Sequence, residues 1–351
     1  MRVAIEAAAL GLSSGGLARY TGELSLALAR CFPNDSFFLL SDQPFVMPSG
    51  APPNLQRGRG PTNAVERRWW LWGLPNEMRR LGADLVHGPD FAVPYLTRKP
   101  SVLTLHDLSP WMDERWHHAA GRVRRRTPLL LELGIATMVI TPGEGVRKQA
   151  IARFRLKPDR VVAIPEAAPS WLGPVEPDGP RDPYFLYLGT LEPRKNIETL
   201  LEAWREVRRR NAVRLLLAGR VREDFTPPPP EPGLELLGEV PDSALAALYS
   251  GALAFVYPSL YEGFGLPVLE AMQCGACVIA SPAVAEVAGD AAACASDARE
   301  LAALLETAVT QPDWVADHRA RSLIRARDFS WDNTARSTYE VYREARRRFA
   351  R

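Results

Sequence analysis

Two carboxylates, Glu262 and Glu270, stand eight positions apart in the segment YPSLYEGFGLPVLE at residues 257–270. Between them lie Gly263, Phe264 and Gly265, then Leu266 and Pro267. The apolar run ALAFV at 252–256 precedes the segment and reads as a buried parallel strand. Residues 266–274 have helical apolar spacing, with Pro267 in the first turn, where a helix tolerates proline. The unit is therefore strand, glycine turn, helix. Gly263 and Gly265 can take φ > 0 and let a ligand approach the backbone. The helix start offers free N–H groups and a positive dipole end to an anion. A carboxylate beside it can accept hydrogen bonds from sugar hydroxyls. The bland alternative is a solvated Glu262 and a Glu270 that merely favours the helix dipole.

A second group is GTLEPRKN at 189–196, between an apolar strand at 184–188 and a helix reaching residue 210. Arg194 can clamp a phosphate through two hydrogen bonds and Lys195 can act as a point charge. Fixed cations there favour any transition state in which negative charge grows on a departing group. Cations at a helix start are locally unfavourable, and that conflict points to function. His106 ends an apolar strand at 101–107, where open α/β sheets bind ligands. A strand-end histidine capped by Asp107 is its structural alternative. His87, ending the run at 84–87, reads as structural or cleft-lining. The loop GLSSGG at 11–16, with Gly15 and Gly16, joins a strand at 2–7 to a helix at 17–30. Such loops cradle phosphates, although short strand-to-helix turns also carry glycine for geometry alone.

Residues 262–270, EGFGLPVLE, with Ala271, Met272, Cys274 and Gly275 after them, resemble the Glu-x7-Glu signature of retaining, nucleotide-sugar-dependent glycosyltransferases of the group 1, or family 4, kind. The resemblance covers nearly the whole chain, including residues 1–29, 85–94, 102–107, 184–196 and 236–290. It implies the GT-B fold: two Rossmann-like, doubly wound α/β domains facing a cleft. The boundaries it implies are an acceptor-side domain at 1–168, a proline-rich linker at 169–183, a nucleotide-sugar-binding domain at 184–332, and a last helix at 333–351 crossing back to the first domain. It implies that Glu270 holds the ribose. Glu262 and the backbone N–H groups of Phe264 and Gly265 would hold the sugar, with Gly263 and Leu266 in the same donor-binding turn. Arg194 and Lys195 would hold the pyrophosphate, and the loop with Gly15 and Gly16 would lie across from it. His106 would contact the transferred sugar. Three positions depart from the family pattern. Thr190 stands where many members have arginine, Glu166 and Ala167 stand where Asn-Gly is usual, and the loop after Ser281 is about two residues short.

The chain has 351 residues, 46% hydrophobic and 24% charged, an ordinary globular composition long enough for two domains. No apolar run reaches transmembrane length, and the N-terminus reads as a strand rather than a signal peptide, so a cytoplasmic protein is expected. Residues 1–170 hold 22 Lys+Arg against 15 Asp+Glu, and the remainder 21 against 26. A basic first half fits an anionic acceptor or peripheral contact with an anionic membrane; scattered surface arginine is the alternative. No nucleic-acid partner is expected. Tryptophans at 69, 70 and 72 read as a packed helix, and a polar-aromatic loop at 109–121 carries Trp111, Trp116, His117 and His118. Residues 122–126, RVRRR, open a further helix. Cys274 and Cys277 read as buried small residues rather than a redox pair. No Asp-x-Asp pair occurs, so neither a metal nor another cofactor is expected beyond the nucleotide-sugar co-substrate and a saccharide or lipid-linked acceptor. A glycoside hydrolase, a nucleotide-sugar epimerase on the same fold and a catalytically inactive membrane or scaffold protein stay open as rivals.

Overall fold

The structure, a computed structural model, describes residues 1–12, 15–96, 98–113, 116, 120–176 and 182–350. The chain divides into two compact units, Met1–Glu166 with Ser330–Arg351, and Ala167–Phe329.

In the first unit seven strands form one sheet: β1 (Arg2–Glu6), β2 (Ser36–Leu40), β3 (Leu55–Arg57), β4 (Leu85–Gly88), β5 (Ser101–Thr104), β6 (Met138–Thr141) and β7 (Val161–Ala163). Every neighbouring pair is parallel, in the order β3-β2-β1-β4-β5-β6-β7. Val3, Ile5, Val86, Leu103 and Val139 are 1% exposed or less. Burial on both faces is why these strands are continuous apolar runs rather than alternating ones. Helices α1 (Gly16–Cys31), α3 (Gly121–Glu132) and α4 (Glu144–Phe154) supply the crossovers from β1 to β2, β5 to β6 and β6 to β7, and α2 (Leu74–Arg80) joins β3 to β4; the β2–β3 and β4–β5 connections carry no α-helix among the described residues. The chain runs outward from β1 to β3 and returns to place β4 beside β1. That reversal is the switch point where doubly wound sheets bind ligands.

The second unit repeats the plan with β8 (Tyr184–Leu188), β9 (Arg214–Ala218), β10 (Leu234–Gly238), β11 (Ala254–Tyr257), β12 (Val278–Ala280) and β13 (Ala293–Cys294), in the order β10-β9-β8-β11-β12-β13. Its switch point lies between β8 and β11. Its helices are α5 (Ile197–Arg208), α6 (Asp242–Gly251), α7 (Leu266–Gln273), α8 (Ala285–Ala288), α9 (Ala298–Thr310) and α10 (Pro312–Ala326). In α5, Ile197, Leu200, Leu201, Trp204 and Val207 recur every three or four residues and are all buried. The last helix, α11 (Trp331–Phe349), belongs to the first unit. It buries Trp331, Thr334, Ala335, Thr338, Val341, Tyr342 and Ala345, again at helical spacing, against α1 and the sheet. Phe32 stacks on Tyr339 with ring centroids 3.6 Å apart.

Some elements differ from the expectations. β3 is an edge strand of three residues in a proline-rich stretch, too short to show a period. The tryptophan segment is one π-helical turn, Trp69–Gly73, leading into α2. Trp69 is buried, whereas Trp72 is 45% exposed. The proline-rich stretch after residue 166 is not free of the second unit. Leu172 is buried in that core, and Gln273 Nε2 donates to the carbonyls of Pro169 and Leu172, both at 2.6 Å. Residues 177–181 of that stretch, His117 and His118 of the polar-aromatic loop, and Ser13 and Ser14 of the glycine loop lie outside the described residues. Cys274 and Cys277 are free, buried thiols, both pushed up to about 12 by burial, which suits packing rather than thiolate chemistry. Among the described residues no helix is long and apolar enough to cross a membrane.

Candidate active site

In the second unit β8 and β11 are paired, so the loops that follow them leave the sheet as neighbours at the switch point. After β8, Pro193, Arg194 and Lys195 make one 3-10 turn, Asn196 takes the left-handed conformation (φ 55°, ψ 43°), and α5 begins at Ile197. The two cations thus sit immediately before the N-cap Asn196, at the positive end of the helix, rather than in its first turn. Two bonds clamp the turn to the chain leaving β11. Leu260 N–H donates to the Arg194 carbonyl at 2.9 Å, and Asn196 Nδ2 donates to the Pro258 carbonyl at 3.3 Å.

Glu262 lies between the cations. Its Oε1 is 2.5 Å from Lys195 Nζ and its Oε2 is 3.2 Å from Arg194 Nη1. Only 8% of the Glu262 and Lys195 side chains is exposed, so a solvated carboxylate is excluded. Burial pushes the Glu262 carboxyl up, but the charges of Lys195 and Arg194 outweigh it and hold the group at about 2. A glycoside hydrolase needs a carboxylic acid that keeps its proton, which Glu262 does not. Lys195 also donates to Tyr257 Oη at 2.7 Å. Arg194 donates to the Tyr261 carbonyl at 2.8 Å and to Glu192 Oε1 at 2.9 Å. The other oxygen of Glu192 accepts from Arg222 Nη1 at 3.0 Å. The result is a buried, pre-formed cluster of cations held by carboxylates.

Gly265 opens α7 with φ 103°, and a Cβ there would lie 2.8 Å from Val284 Cγ1. Gly263, which could also take a positive φ, does not; a single left-handed step suffices to enter the helix. The Phe264 ring packs edge-on against Phe329 at 5.8 Å, and Leu266 is buried, so both offer backbone rather than side chain. Glu270, in the second turn of α7, is 5% exposed, and Tyr249 Oη donates to its Oε2 at 3.0 Å. The loop after β12 is a short turn capped by Ser281, whose Oγ accepts from Ala283 N–H at 3.3 Å. Beside it opens a cavity of about 240 Å³ lined by Asn196, Thr199, Ser259, Ser281 and Asp297.

In the first unit His106 follows β5. Its Nδ1 lies 3.1 Å from Glu166 Oε1 and its Nε2 lies 2.7 Å from the Pro89 carbonyl. Asp107 does not cap it; the Asp107 carboxylate accepts from Ser109 N–H and Oγ at 2.9 and 2.6 Å. His87 is fully buried, with Nδ1 2.7 Å from Tyr342 Oη and Nε2 2.7 Å from Thr104 Oγ1, and burial holds it down at about 3. It is structural. Glu6, at the end of β1, is 2% exposed and is pushed up to about 8 by burial, with the Ala8 N–H opposing and Asp90 and Asp42 adding to the rise. Gly15 has φ 122° with nothing within 4 Å of an added Cβ, so its backbone conformation, not crowding, is what demands glycine.

Two family profiles match the chain: "Glycosyltransferase Family 4" over residues 14–170 and "Glycosyl transferases group 1" over residues 182–311. The O-antigen chain mannosyltransferase B of Escherichia coli is 35% identical over 283 residues, covering 74% of this chain and 74% of that protein. The chain belongs to the group 1, family 4 glycosyltransferases. Solved structures agree on the GT-B fold. The sucrose-phosphate synthase of Thermosynechococcus elongatus superposes with a TM-score of 0.74 at 20% identity, covering 98% of both chains. Anabaena HepE, solved in complex with UDP and glucose, does so with a TM-score of 0.70 at 15% identity, covering 97% of this chain and 98% of that one.

For this glycosyltransferase, the structure gathers Arg194, Lys195 and Glu262 into one cluster. It sets Glu270 one helical turn further on and leaves His106, Gly15 and Gly16 in the other unit. Glu192 was visible two residues before Arg194 in the segment that singled out the cations, but sequence spacing assigned it no partner. Arg222 carried no sequence signal. It reaches Glu192 because β8 and β9 are neighbours and Leu191 bridges Val221 beyond their ends. Tyr249 was readable only as an apolar helix position, and Glu166 only as a departure from the family pattern.

Proposed function

We propose that the protein is a retaining, metal-independent mannosyltransferase. It moves a hexose, with mannose the favoured one, from a nucleotide-diphospho-sugar of the GDP-mannose or UDP-hexose type to a saccharide or lipid-linked acceptor. The observation that carries this reading is the buried cluster of Arg194 and Lys195 on Glu262 at the switch point of the second unit. A departing nucleoside diphosphate gains negative charge, and cations already fixed in a water-poor site need no reorganisation to stabilise it. They supply the electrostatic role that a divalent metal fills elsewhere. Glu270 accepts from the ribose hydroxyls. Glu262 has acceptor capacity beyond its two cations for a sugar hydroxyl, and the Phe264 and Gly265 amides at the start of α7 add donors. With Glu262 held at about 2, its carboxylate is too weak a base to take the acceptor's proton. In the reaction the acceptor O–H breaks, its oxygen bonds the anomeric carbon, and the sugar–phosphate bond breaks. The proton goes to an oxygen of the leaving diphosphate. The mannosyl assignment rests on the 35% identical E. coli relative.

The acceptor side is the first unit, whose outer surface favours an anionic lipid-water boundary. On α3, Arg122, Arg125, Leu129 and the C-cap Leu133 are exposed at intervals of three and four residues, forming one basic and apolar stripe. Co-sedimentation with vesicles containing anionic lipid should fall when Arg122 and Arg125 are replaced by Glu; vesicle binding unchanged by that replacement would remove the membrane from the proposal. The reaction itself is tested by incubating the protein with GDP-mannose and UDP-hexoses, mannose-terminated acceptors and EDTA, and reading the product by NMR. An α-linked product formed in EDTA is expected. A β-linked product, a strict metal requirement, or donor conversion without any acceptor would each overturn the corresponding part.

A further inference from the structure

The hydrogen bonds of His106 fix its charge. The Pro89 carbonyl can only accept, and an ionised Glu166 carboxylate likewise offers only acceptor sites. Both bonds, at 2.7 and 3.1 Å, are made together only if both ring nitrogens carry protons, because a neutral imidazole donates through one of them. The ring is held in this pose by Tyr20, edge-on at 4.7 Å and 88°, and by Phe91 at 6.2 Å. The other ionisable groups around it agree. Asp90, from the loop after β4, adds a second acid; burial raises its carboxyl, with the charges of His106 and Arg126 opposing. Asp107 is turned to Ser109, and Tyr20 gives its hydroxyl to a bond with Thr104 at 3.0 Å. His87 on β4 stays neutral between Tyr342 and Thr104. Burial opposes a charge on His106, but Glu166, the Pro89 carbonyl and Asp90 outweigh it and raise the group above the ordinary histidine value.

We infer that Glu166 is a positioning residue that locks His106 as an imidazolium, so that His106 serves the reaction as a fixed cation and not as the acceptor's base. Glu166 stands where the family pattern has asparagine, so the lock is a property of this chain. The inference rests on the transferase reading for its consequence in catalysis, while the protonation state itself does not. A cation that must stay protonated gives activity an alkaline limb, and weakening its carboxylate partner moves that limb to lower pH.

The experiment is a histidine-selective ¹H–¹⁵N NMR titration of the full chain, with His106 assigned through His106→Gln, alongside kcat against pH. In the wild type both His106 nitrogens are expected to be protonated at pH 7. Glu166→Gln should lower the His106 titration by about one unit or more and carry the alkaline limb of kcat with it. Glu166→Asp should restore both, and KM for the donor at pH 6 should stay near wild type. Loss of the His106 resonance shift together with loss of the folded-state spectrum in Glu166→Gln would pass the decision to the wild type and Glu166→Asp. A neutral His106 at pH 7 in the wild type, or a limb that ignores Glu166→Gln, overturns the inference. The expected NMR shift in a protein without turnover on any donor would instead contradict the proposed function alone.

Discussion

Lys195 and Arg194 are held in position by Glu262, Glu192, Tyr257 and the Tyr261 carbonyl. Removing Lys195 should therefore cost turnover, not donor choice. Lys195→Ala is expected to lower kcat by about 10²- to 10³-fold while leaving the ratio of kcat/KM between two donors unchanged. Steady-state kinetics with two nucleotide-sugars check this, and wild-type kcat would refute it. Glu6 gives a prediction of a different kind. Its carboxyl keeps a proton up to about 8 in the fold, against 4.5 when unperturbed. Between those values the folded state binds more protons than the unfolded one, so its contribution is complete below about 4.5 and is lost as pH rises through 8. Thermal midpoints of the wild type should fall from pH 5 to pH 8.5, and Glu6→Gln should flatten that slope; parallel slopes would contradict it. At this scale Glu262, Glu270, Arg194 and Lys195 were legible because their spacing sits on a strand-turn-helix pattern. Glu192, Arg222 and Glu166 were not: Glu192 stands two residues from Arg194 but takes its second cation, Arg222, from beyond the end of β9, and Glu166 meets His106 from 60 residues away.

At the scale of elements, the turn between β11 and α7 depends on a glycine for two separate reasons. Gly265 is left-handed, which costs an L-residue roughly 1–2 kcal/mol, and a Cβ would press on Val284 at 2.8 Å. Gly265→Ala should therefore lose at least about 2 kcal/mol in urea unfolding and weaken donor binding by moving the Phe264 and Gly265 amides. A variant with unchanged midpoint and donor affinity would show the turn to be tolerant. The strands were legible because parallel strands buried on both faces are plain apolar runs. The helix after Arg194 and Lys195 was legible, but the 3-10 turn and the left-handed asparagine that lead into it are not visible in a hydrophobic pattern. The tryptophan segment was read as an ordinary helix because one π turn leaves the apolar spacing nearly unchanged.

For the whole molecule, α11 returns the end of the chain to the unit that begins it. Tyr342 and His87, 255 residues apart, are bonded within that unit's core. Tyr342→Phe leaves a buried histidine nitrogen without its partner and should cost about 1–3 kcal/mol, read as a lowered midpoint in denaturant unfolding. A midpoint within error of wild type would show that the contact contributes little. The amphipathic spacing of α11 was legible in the sequence, but its docking on α1 and His87 was only implied by resemblance, because spacing gives a helix an apolar face without naming what covers it.

The central claim is that the second unit holds a nucleotide-sugar through Glu270 and through Arg194 and Lys195, without a metal. Isothermal titration calorimetry of GDP-mannose, UDP-hexoses and the free diphosphates into the full chain in EDTA tests it most directly, with Glu270→Ala as the comparison. One donor should bind in EDTA, its free diphosphate should bind as well, and Glu270→Ala should lose about tenfold or more in affinity as a buried acceptor for the ribose is removed. Equal affinity in wild type and Glu270→Ala, or binding that appears only when a divalent metal is added, would contradict the account.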